Sequence, residues 1–156
     1  MYEQREEVEL VDGVKQGEAI YYFRCGTTET YNYVDGKKNG PAVLKTPNGD
    51  EGHYTYVDGL AQGEAFMQYA NGDREEFIYE DNLKHGPAVF MKNNGDREEC
   101  NYKNDYLSGP ATMYFANGDI ETYRYLNGKK EGDASYKSAN GEVSNYRYFN
   151  NKKISE

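Results

Sequence analysis

Apolar and polar residues alternate in short bursts along this chain, and the bursts recur. Tyr31 and Tyr33, Tyr54 and Tyr56, Phe77 and Tyr79, Cys100 and Tyr102, Tyr123 and Tyr125, and Tyr146 and Tyr148 stand two apart, with mostly polar residues such as Asn32, Thr55, Asn101 and Arg124 between them. A spacing of two places side chains on one face of a strand, so these residues predict two parallel columns on one side of a sheet. A second strand follows each burst and opens on Ala19, Ala42, Ala65, Ala88, Ala111 or Ala134. Two residues later come Tyr21, Leu44, Met67, Phe90, Met113 and Tyr136, which fall on the ring-bearing face. Segments of about six or seven residues have the length of strands and are short for helices.

The punctuation is as regular as the bursts. Gly26, Gly49, Gly72, Gly95, Gly118 and Gly141 recur every 23 residues, and Gly17, Gly40, Gly63, Gly86, Gly109 and Gly132 form a second series. A third series, Gly13, Gly36, Gly59, Asn82, Asp105, Gly128 and Asn151, admits only Asn and Asp beside Gly, the residues that best tolerate a left-handed backbone. Corners such as Asn48-Gly49-Asp50 are hairpin signals. Keeping the columns on one face requires a three-residue loop or a bulge there, with Gly in the left-handed conformation. The longer corner, Gly36 to Gly40, keeps parity with a four-residue loop. The units are 4–26, 27–49, 50–72, 73–95, 96–118 and 119–141, with a half unit at 142–151 and a tail at 152–156. The fold class is all-β, a single elongated, twisted antiparallel meander of about 13 strands, roughly 60 Å long at ~4.8 Å per strand. The charged residues Arg5, Glu6, Glu7 and Glu9 at one end and Lys152 and Lys153 at the other discourage edge-to-edge pairing.

Composition narrows the function. Seventeen Tyr and six Phe stand beside seventeen Gly, which suits a thin sheet with a half-wet face better than an aliphatic core. A net charge of −9 disfavours nucleic acid and anionic lipid. No apolar run approaches the roughly 18 residues of a membrane span, and the opening residues lack a signal-peptide layout. Cys25 and Cys100 lie three units apart, roughly 30 Å along the sheet, too far for a disulfide. Free thiols point to a reducing, cytoplasmic setting.

The Asn-Gly-Asp corner, the aromatic seven residues after its Gly, and the Gly-x-x-x-Gly that follows, repeated every 23 residues over about 4–151, resemble the MORN repeat. Units 50–72 and 119–141 carry it well, with Tyr56, Gly59 and Gly63, and Tyr125, Gly128 and Gly132. The chain departs from the family where Glu29-Thr30-Tyr31, Glu75-Glu76-Phe77, Glu98-Glu99-Cys100 and Glu121-Thr122-Tyr123 replace the usual Tyr-x-Gly, and where Gly-x-Ala replaces Gly-x-Gly. Contact residues of other members therefore do not transfer. The resemblance implies a non-catalytic module of the kind found in cytoskeletal scaffolds, membrane-junction tethers and adaptors. It also admits an accessory array of a larger enzyme such as a SET-domain lysine methyltransferase, whose catalytic domain residues 152–156 have no room for.

Catalytic and metal chemistry have no candidate residues. His53 and His85 lie in different units and columns, which leaves no set of three or four zinc ligands, and no cofactor motif is present. The glutamates at 6, 29, 75, 98 and 121 form a column spaced ~9.6 Å, read as a solvated rim or as a selector of basic partners. Two uncovered ring columns exceed the apolar area that monomers tolerate, so the sheet's own curl, a second copy or a ligand chain is expected to cover them. The leading expectation is a scaffold or adaptor that holds a basic helical or extended segment of a protein partner. Its contact set is Tyr31, Tyr33, Tyr54, Tyr56, Phe77, Tyr79, Tyr102, Tyr123, Tyr125, Glu75, Glu98 and Glu121. Self-association as a homodimer is the alternative.

Overall fold

The structure is a computed structural model that describes residues 3–154. The described residues form nineteen strands of one antiparallel sheet and no helix. Thirteen strands of six to nine residues account for the expected meander, and six more of two or three residues were not expected. By contact the chain groups into two compact units, residues 1–72 with 78–83, and residues 73–77 with 84–156.

The extra strands come from the longer corner. In the first unit Asp35 and Gly36 both have positive φ, 50° and 81°, and Val34 pairs with Lys37 and Tyr33 with Lys38. That is a two-residue turn with both residues left-handed, whose twist matches the strands it joins. Two residues later the Asn39 N–H donates to the Asn32 carbonyl at 2.8 Å, Gly40 takes φ 90°, and pairing resumes with Thr30 opposite Val43. The return side thus carries residues 39–42 against 31–32. A surplus of two keeps every side chain on its face, as parity demands, but a tight turn plus a bulge achieves it in place of the expected four-residue loop.

The Asn-Gly-Asp corner forms as expected. The Thr46 N–H donates to the Asp50 carbonyl at 3.0 Å and the Gly49 N–H to the Thr46 carbonyl at 3.1 Å, which closes a three-residue loop with Gly49 at φ 97°. In the second unit Lys92, Gly95 and Asp96 repeat the arrangement at 2.8 and 3.0 Å.

Each corner is also tied to its neighbour. In the first unit the Gly59 N–H donates to the Lys38 carbonyl at 2.8 Å, and the Asp50 carboxylate accepts the Ala70 N–H at 2.8 Å. In the second, the Asp105 N–H donates to the Lys84 carbonyl at 2.8 Å and the Asp96 carboxylate accepts the Ala116 N–H at 2.9 Å. Where Asn or Asp stands in the third glycine series, its side chain accepts a further amide, from Ala61 to Asn82 at 2.7 Å and from Lys84 to Asp105 at 2.7 Å. The substitution therefore adds a hydrogen bond that Gly lacks, beyond tolerating positive φ.

The core is a thin layer. Ala19 lies opposite Tyr31, Ala42 opposite Tyr54, Ala111 opposite Tyr123 and Ala134 opposite Tyr146, and these alanines are 1–6% exposed. A methyl group there lets the facing ring lie against the sheet. Tyr21, Leu44, Phe90 and Met113 pair with Glu29, Gly52, Glu98 and Glu121 and share the ring-bearing face, as read from the alternation. The expected tail at 152–156 is corrected in part: Lys152–Ile154 is a strand, with Lys152 opposite Phe149, while residues 155 and 156 lie outside the described residues.

Candidate functional site

Position i, i+2 and i+4 of each first strand face one way, so Glu29, Tyr31 and Tyr33 share a surface with their equivalents. The rings lean back toward the preceding repeat and meet its glutamate. In the first unit the Tyr54 and Tyr56 hydroxyls both donate to Glu29, Tyr56 at 2.8 Å. Tyr31 and Tyr33 do the same to Glu6, Tyr33 at 2.8 Å. In the second unit Tyr102 donates to Glu75 at 2.6 Å, Tyr123 and Tyr125 to Glu98, the latter at 2.7 Å, and Tyr146 and Tyr148 to Glu121, the latter at 2.6 Å.

A lysine nine residues after the glutamate completes the cluster. Lys15 pairs with Glu6 at 2.6 Å, Lys38 with Glu29 at 3.6 Å, Lys84 with Glu75 at 2.6 Å and Lys130 with Glu121 at 3.8 Å. The same ammonium groups sit over rings: Lys38 is 4.2 Å from the centre of Tyr31 and 5.0 Å from Tyr56, and Lys130 is 4.0 Å from Tyr123 and 5.0 Å from Tyr148. Each cation is thus held by a carboxylate and by ring quadrupoles at once.

This geometry corrects the solvated-rim reading. Glu29, Glu75 and Glu121 are buried, 7–8% exposed, because each is roofed by a lysine and by rings of the following repeat. Lys15, Lys38, Lys84 and Lys130 are the partners of these carboxylates and of Glu6. Their signal was the constant offset of nine from Glu6, Glu29, Glu75 and Glu121, and the joint loss of both where Gly52 and Ala61 occupy those positions.

The electrostatics follow. Burial, then the hydrogen bond to Glu6, pushes the Tyr31 hydroxyl far above the ordinary phenol value. Burial and Glu29 do so for Tyr54 and Tyr56, and burial and Glu121 raise Tyr148 to about 12. Burial works against ionisation of Glu6, but hydrogen bonds from Lys15, Tyr31 and Tyr33 outweigh it and lower its carboxyl. The hydroxyls are therefore fixed donors and the rings fixed walls, with no phenolate available near neutral pH.

The expected contact set divides by exposure. Tyr31, Tyr33, Phe77 and Tyr123, at 3–8%, and the carboxylates of Glu75 and Glu121 are covered by the chain itself and form its core. Tyr54, Tyr56 and Tyr79 in the first unit, and Tyr102, Tyr125 and Glu98 in the second, are half-buried and keep an accessible side. Rings pack edge to face along the columns, with Tyr31 and Tyr56 6.2 Å apart and Tyr54 and Tyr79 5.9 Å apart. Cys25 and Cys100 are both unpaired; Cys25 is exposed and Cys100 is buried. Among the described residues no group of three or more His, Cys, Asp or Glu is arranged to hold a metal ion.

Comparison with known proteins agrees with this architecture. The family model for the MORN repeat matches residues 32–51, 52–74, 78–97 and 101–120. The search of curated proteins finds no match. Among solved structures, the SAS-4 (dCPAP) TCP domain of Drosophila melanogaster, in complex with a proline-rich motif of Ana2 (dSTIL), is similar over 97% of this chain and 88% of that one. Its TM-score is 0.51 and its identity 16%. The TCP10 domain of Danio rerio CPAP aligns over 90% of this chain and 92% of that one, at TM-score 0.24 and 20% identity.

Proposed function

Since the chain belongs to the MORN-repeat family, we propose that it is a non-catalytic protein-interaction scaffold that seats an extended segment of a partner protein on its ring-bearing face. One observation carries this reading: the half-buried Tyr54, Tyr56, Tyr102 and Tyr125 have their hydroxyls already bound by the chain's own glutamates. A partner docking on Tyr56 or Tyr102 leaves the Tyr56–Glu29 and Tyr102–Glu75 hydrogen bonds intact and meets rings whose rotamers are set in advance. Such a surface gives contact area at little cost in entropy or desolvation. The neighbouring fold seen with a proline-rich motif supports an extended segment over a helical one, since polyproline segments dock between aromatic side chains.

The absence of an activity belongs to the same reading. The glutamates of the face are committed to phenols and lysines, and a paired carboxylate is a poor general acid or base. The net charge of −9 speaks for a protein partner over nucleic acid or an anionic membrane, and an exposed unpaired thiol at Cys25 speaks for the cytoplasm.

The test is capture of binding proteins by the wild type and by two folded variants, Tyr56→Ala/Tyr79→Ala and Tyr102→Ala/Tyr125→Ala. Loss of a specific partner in either variant supports the scaffold, and matched Tyr→Phe variants should retain it because the ring faces remain. Capture unchanged in both alanine variants removes this face from the function. Sedimentation at high protein concentration separates a partner-binding scaffold from one that binds its own copy.

A further inference from the structure

Of the seven glutamate and lysine positions of the repeat, five vary together and two do not: Ser144 leaves Lys153 without a carboxylate, and Glu98 stands without a lysine. Glu6, Glu29, Glu75 and Glu121 each have their lysine, at Lys15, Lys38, Lys84 and Lys130. Gly52 lacks a carboxylate and Ala61 lacks the cation. Glu98 alone keeps the carboxylate without the lysine, because Leu107 occupies the position nine residues on. Leu107 lies opposite Tyr102, as Lys38 lies opposite Tyr33, so the backbone of the slot is intact and only the ammonium is missing.

Glu98 otherwise keeps its part of the cluster. It is half-buried, accepts the Tyr123 and Tyr125 hydroxyls, and has no cation within 4.0 Å among the described residues. Space has opened beside it. Cys100 stands where five other repeats carry a ring, and a groove of about 340 Å³ has Glu98, Cys100, Tyr102, Leu107, Met113 and Tyr125 among its lining residues. Lys92 and Lys130 also line this groove, but Lys130 is paired with Glu121 and Lys92 forms no ion pair with Glu98.

We propose that this groove receives one basic side chain, an arginine or lysine of the bound protein segment, whose charge takes the place of the absent lysine on Glu98. The apolar walls at Leu107 and Met113 suit the aliphatic stem of such a residue, which buries its methylenes while its head finds a counter-ion. In the second unit Lys84 shows where the head goes: it bonds Glu75 and lies 5.0 Å from the centre of Tyr102. A guest cation on Glu98 takes the equivalent place over Tyr125. A half-buried carboxylate left without its cation is the feature that gains most from such a guest.

This inference rests on the face being a protein-binding surface, yet it is tested without any partner. The probe is Nα-acetyl-arginine amide, followed by NMR shift perturbation, with the neutral isostere Nα-acetyl-citrulline amide as control. Expected are saturable shifts at Glu98, Cys100, Leu107 and Tyr125 with a Kd on the order of millimolar, and at least tenfold weaker binding for citrulline. Leu107→Lys restores the repeat's own cation and should abolish binding without loss of fold; Glu98→Gln should weaken it at least tenfold. Equal shifts from both probes, undiminished binding in Leu107→Lys, or no binding by the wild type overturns the proposal. Arginine binding with no partner captured by the tyrosine face would instead sink the scaffold reading and leave the cation slot standing.

Discussion

Tyr56 reaches back from its own repeat to give its hydroxyl to Glu29 at 2.8 Å, and Glu29 is 7% exposed. One buried carboxylate thus joins two phenols and an ammonium across a repeat boundary. Glu29→Ala strands two donors and Lys38, and is expected to cost about 3–5 kcal/mol, the range for breaking a buried pair. Tyr56→Phe removes a single bond and should cost about 1–2 kcal/mol. Urea denaturation of both variants measures the difference, and a smaller loss for Glu29→Ala than for Tyr56→Phe contradicts the hub.

Gly52 and Ala61 give a second stability test. Gly52 has an ordinary backbone, but a Cβ there stands 3.1 Å from the Met67 sulfur, so a side chain must displace a flexible thioether. Gly52→Glu places a lone charge in a buried position and should destabilise by a few kcal/mol. Adding Ala61→Lys rebuilds the pair seen at Glu29 and Lys38. The double-mutant cycle should show a favourable coupling of about 0.5–3 kcal/mol; additivity would mean that the offset of nine carries no contact.

Stability should fall at both ends of the pH scale. The hydroxyls of Tyr31, Tyr54 and Tyr123 are raised by burial first and by their glutamates second. Their contribution is complete below the unfolded phenol value near pH 10 and declines as pH rises above it, by about 1.4 kcal/mol per pH unit for each such tyrosine. The lowered Glu6 carboxyl acts oppositely: its contribution is present above the ordinary glutamate value and is lost as pH falls through the folded one. The phenolate signals of Tyr31, Tyr54 and Tyr123, followed by residue-resolved NMR, should therefore appear together with loss of the β-sheet circular dichroism. Ionisation of these three well before unfolding would refute the buried hydroxyls.

The two thiols should react at very different rates. Hydrogen bonding with Thr27 lowers the thiol of exposed Cys25, whereas burial, with Glu98 and Glu75 nearby, raises Cys100 to about 12. A disulfide reagent near neutral pH should modify one cysteine promptly and the second only with unfolding. Equal rates would place Cys100 at the surface.

At the Asn-Gly-Asp corners the backbone is the constraint. Gly118 has φ 94°, and a Cβ on it stands 3.2 Å from the Ala139 Cβ. Gly118→Ala should cost about 1–2 kcal/mol from the left-handed backbone alone, with the methyl contact adding to it. Asp96→Ala, which removes the acceptor of the Ala116 amide, should cost about 1 kcal/mol by thermal or urea unfolding.

The strands, the shared face of the rings and the three-residue corners were legible because each depends on residues close in sequence. Alternation places Tyr54 and Tyr56, and parity fixes the loop at Gly49. The Asp35-Gly36 turn was legible in principle, since Asp-Gly is a two-residue hairpin signal, but the next three residues disguised it as part of a longer loop. The buried glutamates escaped because their environment is made elsewhere. Glu29 is covered by Lys38, Tyr54 and Tyr56, at 9, 25 and 27 residues' distance, and the two rings belong to the next repeat, which a reading of one repeat does not contain. Ring tilt, which decides whether Tyr31 faces solvent or Tyr56, is likewise set by the neighbouring repeat.

The amide of Gly59 donating to the carbonyl of Lys38, and the Asp50 carboxylate holding the amide of Ala70, make each corner a template for the next. Growth or shrinkage of such a chain is therefore quantised. Duplicating or deleting an entire 23-residue module presents every donor with an equivalent acceptor, whereas gaining or losing one amino acid breaks the phase of all that follows. Mutational scanning with insertions would read this directly, as tolerance confined to whole-module steps.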